Sequence, residues 1–91
     1  MARGTTESIE EYRRKLKFRA WHRGTREMDL LLGSFADQHI ESFHETQLEE
    51  FEKLLENPDP DLYDWVSGQK KVDGREESSV MTLLLAHRFA R

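Results

Sequence analysis

Apolar side chains recur along this chain at intervals of three and four, in five stretches, and nowhere alternate with period two for long enough to make a sheet. The first stretch opens with Ser8 and Glu11 at the spacing of a capping box and carries Ile9, Tyr12, Leu16 and Ala20, which predicts a helix from about Ser8 to His22. Gly24 and Thr25 bound the second, where Met28, Leu31, Leu32, Phe35 and His39 form one stripe. Thr46 and Glu49 repeat the capping-box spacing ahead of Leu48, Phe51, Leu54 and Leu55, and Pro58 requires this third helix to stop near Asn57. In NPDPDLYDWVSG, Asp59 is placed to cap and Pro60 to stand first in a short helix, with Leu62, Trp65 and Val66 on one face and Gly68 ending it. After a polar connector over 69–74, Glu76 to Arg91 reads as a last helix with Val80, Leu83, Leu84 and His87 on one side. Short connections between these elements predict an all-α, compact five-helix bundle.

Length limits what the bundle can be. Ninety-one residues make a single domain, 1–91, with about residues 1–7 as a flexible N-terminus. A chain this size buries only about 60–65% of its unfolded surface, enough for one modest core. With no cysteine, the fold rests on apolar packing, and thiolate metal sites, disulfides and cysteine nucleophiles are excluded. The longest apolar run, Val80 to Ala86, is broken by Thr82 and falls far short of a membrane span, which needs roughly 18 residues. Glu7, Glu10 and Glu11 stand where a transit peptide would be poor in acid. The expectation is an untargeted cytoplasmic protein without membrane insertion.

The net charge of −4 conceals a polarity. Residues 1–26 hold eight Lys or Arg against three Glu, whereas residues 27–91 hold six basic and fifteen acidic residues. A basic end can steer toward an acidic partner or a phosphate backbone, but the acidic remainder repels nucleic acid beyond that one face.

Candidate chemistry is sparse. The four histidines, His22, His39, His44 and His87, have no spacing that converges ligands on a metal. No phosphate-binding glycine loop and no nucleophile elbow occurs, so no enzyme is expected. Asp59, Asp61 and Asp64 lack the glycine turn and terminal glutamate of a calcium loop, and helix capping accounts for them.

The stretch WHRGTREMD, Trp21 to Asp29, is the dense spot. As a helix-to-helix corner it is well made, since Gly24 suits a position of positive φ, Thr25 can cap, and Arg23 and Glu27 complement the two helix dipoles. A corner needs one cap and one glycine, however, and seven Lys or Arg lie between Arg13 and Arg26. That surplus argues for a partner. Leu16 and Ala20 define the inward stripe of the first helix, so Phe18 lies off it and Trp21 borders it.

Arg23-Gly24-Thr25-Arg26-Glu27 resembles the RGxxE motif of the SdhE family, the succinate dehydrogenase flavinylation (assembly) factors. The preceding basic helix, Glu27-Met28-Asp29-Leu30, Phe35, Leu54-Leu55-Glu56, and Asp59-Pro60-Asp61-Leu62 leading to Trp65 follow in that family's order, covering roughly Glu11 to Gly68. The wording HRGTREMD is most similar to alphaproteobacterial members. The resemblance implies a five-helix bundle that binds the flavoprotein subunit of succinate dehydrogenase, or of fumarate reductase, and promotes covalent attachment of FAD to a histidine there. Arg23, Gly24 and Glu27 carry over by motif as partner-binding residues, and Asp29 and Trp65 as positions of the wider pattern. The flanking cations Arg19 and Arg26 complete the expected contact. No cofactor is expected on the chain itself, which would act on the partner's FAD, as a monomer, without nucleic acid.

On the residues alone the mechanism is a docking corner. Gly24 leaves its backbone open to close approach, with Arg23 and Glu27 as donor and acceptor beside it at an exposed junction. With the partner that the resemblance implies, docking there would hold flavin and target histidine in reactive geometry without supplying chemistry. The rival reading is a small nucleic-acid-binding or regulatory helical protein that uses the basic first helix, whose Phe18 and Trp21 are interleaved with cations.

Overall fold

The computed structural model describes residues 7–87, and among them five α-helices and two 3₁₀ turns account for all regular structure. They are α1 (Ile9–Trp21), α2 (Arg26–His39), α3 (Glu45–Leu55), α4 (Asp59–Val66) and α5 (Ser79–Ala86), with 3₁₀ turns at Ile40–Ser42 and Gly74–Glu76. The architecture is the all-α five-helix bundle that the periodicity predicts. α1 lies along α2 and packs on α3, while α5 covers α3 and touches α4.

Local signals explain most boundaries. Ser8 and Glu11 close a reciprocal capping box, each side chain accepting from the other's backbone N–H. Thr25 Oγ1 accepts from the Met28 N–H and starts α2.

The third helix begins differently from its sequence signal. His44 caps it, with Nδ1 accepting from Gln47 N–H and Gln47 Oε1 accepting from His44 N–H, so the box is His44/Gln47 and not Thr46/Glu49. A histidine ring nitrogen serves as well as a hydroxyl here, and the helix starts two residues earlier than Thr46 would have set it. At α4 the cap residue is Pro58, which has no side-chain acceptor, and Asp59 stands inside the first turn with its carboxylate committed elsewhere.

The last helix is half the expected length. Asp73 accepts from the Arg75 N–H and winds Gly74–Glu76 into a 3₁₀ turn, after which Ser78 caps α5 through the Met81 N–H. His87 is extended and ends the helix, because its ring turns in against Phe35 and meets Ser34 Oγ at 2.9 Å. The remainder of the expected helix, residues 88–91, lies outside the described residues. So does most of the expected flexible N-terminus, although Glu7 is described and pairs with Lys15 at 2.8 Å.

The core is one contiguous cluster centred on Phe35, Phe43 and Phe51, whose rings meet at centroid distances of 5.6 to 6.2 Å. Leu16 and Ala20 from α1, Leu31 and Leu32 from α2, Leu48 from α3, Leu62 from α4 and Val80 and Leu84 from α5 surround it. Trp65 and Val66 pack against its edge and stay half-buried.

Candidate functional site

The chain between α1 and α2 turns within four residues, His22 to Thr25. His22 is the last helical cap, so Gly24 stands two residues beyond it, and its φ of +121° is a conformation that L side chains rarely adopt. A Cβ built on Gly24 would meet nothing within 4 Å. The glycine therefore answers to its own dihedral and not to crowding inside the protein, and its backbone faces open space. An open depression beside it is lined by Trp21, His22, Gly24, Thr25, Arg26, Asp29 and Leu30.

Asp29 holds this turn from below. Its Oδ1 accepts from the backbone N–H of Arg23 at 2.6 Å and of Gly24 at 3.3 Å, so one carboxylate oxygen ties the corner onto the first turn of α2. Arg26 and Glu27 stand in that same turn, exposed, their side chains in no hydrogen bond or ion pair with any described residue. They remain a free donor and a free acceptor on the rim of the corner.

Arg23 departs from the exposed-junction expectation. Its side chain is only 11% exposed and runs away from solvent to the junction of α3 and α4. There Nε donates to Asp59 Oδ1 at 2.8 Å, Nη1 to the Leu55 carbonyl at 2.6 Å and Nη2 to the Asn57 carbonyl at 2.8 Å. The Leu55 carbonyl is the last of α3, where helical oxygens lack intrahelical partners and carry negative partial charge, and the Asn57 carbonyl follows in the connector to α4. Arg23 is thus a planar fork filling a fixed set of acceptors.

Arg13 repeats the device one face earlier. Its Nε donates to the Ile40 carbonyl and its Nη2 to the Phe43 carbonyl, satisfying the chain that leaves α2, while Nη1 pairs with Glu10. The charge surplus of α1 is largely consumed within the protein. Lys15 pairs with Glu7, Lys17 with Asp37 at 3.4 Å, and Arg19 with Glu52 at 3.7 Å. Hydrogen bonding to the Glu7 carboxylate raises the Lys15 pKa above its ordinary value. Of the seven cations from Arg13 to Arg26, only Arg14 and Arg26 are without such partners among the described residues. The continuous basic stripe on which the nucleic-acid reading rested is mostly neutralised in place.

The expected site residues therefore divide. Gly24, Asp29 and Arg26 meet around the depression, with Glu27 in the adjoining turn. Arg23 reaches beneath it. Arg19 pairs toward α3 and Trp65 packs on the core edge, and neither lines the depression.

Phe18 off the inward stripe and Trp21 at its border stand as the helical pattern predicts, while the partners of both had no sequence signal. Phe18 is 63% exposed and stacks on His22 with centroids 3.9 Å apart, giving the end of α1 an aromatic outer face. Trp21 lies on Gly33 and donates to Asp37 Oδ1 at 3.2 Å. Among the described residues no group of His, Cys, Asp or Glu could hold a metal ion, and no helix is long and apolar enough to cross a membrane.

Comparison with known proteins places these features. Residues 14–88 match a family model described as flavinator of succinate dehydrogenase. The chain is 40% identical over 79 residues to a mitochondrial succinate dehydrogenase assembly factor 2 of Dictyostelium discoideum, covering 87% of this chain and 56% of that protein. It is 44% identical over 63 residues to the FAD assembly factor SdhE of Acetobacter pasteurianus, covering 69% and 58%. A mitochondrial assembly factor 2 of Debaryomyces hansenii is 37% identical over 84 residues, covering 88% and 59%. The chain spans a little over half the length of these relatives.

Proposed function

The chain belongs to the family of succinate dehydrogenase flavinators, and from that premise we propose that it docks on the flavoprotein subunit of succinate dehydrogenase, or of fumarate reductase, and promotes covalent attachment of FAD to it. The observation that carries the site assignment is the corner itself. Gly24 presents open backbone, and the unpaired Arg26 and Glu27 flank it as donor and acceptor. An open corner tied down by Asp29 and Arg23 suits a task of positioning, in which reacting groups on the partner are held at attack distance.

The bundle lends geometry, while flavin and reacting side chain remain on the partner. We place this activity in the cytoplasm and assign it to a monomer. The test is covalent flavin fluorescence of the flavoprotein band, produced with wild-type chain, with Glu27→Ala and with no chain. Wild type should raise it above the chain-free level and Glu27→Ala should not. Equal fluorescence in all three would end this reading.

A further inference from the structure

We propose that Asp59 is a positioning residue for the docking corner, acting on Gly24 through the buried Arg23 side chain; this rests on the reading of the corner as the contact. Asp59 lies 36 residues from Arg23 in the chain and belongs to a different helix, yet the two share the 2.8 Å ion pair. Arg23 is thereby gripped at both ends. Its backbone N–H is bonded to Asp29 at the start of α2, and its guanidinium is bonded to three acceptors at the α3–α4 junction.

Gly24 follows directly, and it has no side chain with which to hold its own conformation. Its only hydrogen bond among the described residues is the long one to Asp29 Oδ1, at 3.3 Å. A backbone unit with φ of +121° and no contact above it is held by its neighbours. The stronger neighbour is Arg23.

Of the three acceptors on Arg23, two are main-chain carbonyls that no substitution removes, and Asp59 is the one side chain and the one formal charge. It is half-buried, with 23% of its side chain exposed, so solvent screens the pair incompletely. A second tie reinforces the seat: Asn57, whose carbonyl takes Nη2, donates through Nδ2 to Glu76 Oε1 at 3.1 Å. The register of the docking corner is thus set from the α3–α4 junction beneath it.

The experiment uses the whole chain, ¹⁵N-labelled, and the purified flavoprotein subunit as binding probe. Asp59→Asn, Asp59→Glu and Glu27→Ala are compared with wild type, each well below its melting temperature. Asp59→Asn should displace the Gly24 amide resonance in the free chain and weaken binding about tenfold, a factor worth roughly 1.4 kcal/mol. Asp59→Glu should displace the resonance less than Asp59→Asn and keep most of the affinity, because the charge is retained while the carboxylate stands one methylene further out. Should Asp59→Asn fail to fold, Asp59→Glu carries the test, since its extra methylene must shift the guanidinium and with it the Gly24 resonance. An unmoved Gly24 resonance in either folded variant overturns the proposal. So does wild-type affinity in Asp59→Asn while Glu27→Ala loses binding. Wild-type affinity in Glu27→Ala itself shows instead that the corner is not the contact, and the proposal falls with that premise even if Gly24 moves.

Discussion

The Trp21 indole lies across Gly33 so closely that a Cβ on that glycine would stand 2.1 Å from Cδ2 of the ring. This contact lets α1 and α2 approach, and it fixes the ring that borders the open depression beside Gly24. Gly33→Ala must therefore push the indole or separate the helices. Overpacking of this kind costs about 1–3 kcal/mol. A fall of several degrees in melting temperature is expected by circular dichroism, with changed Trp21 fluorescence. Unchanged values of both would mean that the indole is free to swing aside.

Arg23→Ala should destabilise the chain by about 3 kcal/mol, because it strands a half-buried Asp59 carboxylate and two main-chain carbonyls at the α3–α4 junction. Arg23→Lys should recover only part of that, since an ammonium lacks the planar fork that reaches three acceptors in fixed directions. Urea denaturation of the three proteins measures it. Equal midpoints would remove the structural role assigned to Arg23.

For Glu27→Ala the expectation is reversed. The side chain is exposed and unpartnered in the first turn of α2, so only a dipole contact worth about 0.3–1 kcal/mol is lost. Stability should hardly change, while affinity for the flavoprotein subunit should drop steeply. A calorimetric titration beside a melting curve separates the two. Parallel loss of both would assign Glu27 to the fold.

Gly24→Val and Gly24→Ala separate conformation from contact. Nothing stands within 4 Å of the added Cβ, so any destabilisation arises from φ, at a magnitude of about 1–3 kcal/mol. Both variants should lose that much stability. Affinity per folded molecule should fall further for valine than for alanine, because the larger side chain fills the space that an approaching surface needs. Normal affinity in the folded fraction of both would leave the corner as a turn only.

In the core, Phe35→Ala should cost about 3–5 kcal/mol, since its fully buried ring touches Phe43, Phe51, His39 and His87. Trp65→Ala should cost less. The indole is half-buried at the core edge, and part of its surface is already in water. Chemical denaturation of both variants orders them, and the reverse order would show that α4 is the true anchor of the core.

What the chain determines by itself is whatever is carried by residues near one another in sequence. The five apolar stripes, the Ser8/Glu11 capping box, the Thr25 cap and the positive φ of Gly24 depend on spacings of one to four residues, and all were legible. So was Phe35 as a core residue and WHRGTREMD as the corner to watch. Where two starts were open, as His44/Gln47 against Thr46/Glu49 or Ser78 against an earlier start for α5, the pattern could not say which cap would win, because each satisfies an orphan N–H of the helix start that it defines. The tertiary structure alone decided what the charges do. Arg13, Arg19 and Arg23 read alike in sequence as a basic surface, but their partners lie 27 to 36 residues away, at helix ends that face α1 only after the bundle closes. A guanidinium is drawn to whichever unpaired carbonyls and carboxylates packing brings within reach, and no one-dimensional pattern records that meeting. Arg23 was legible as important; that it works from underneath, with Gly24, Arg26 and Glu27 left outside, followed from the fold.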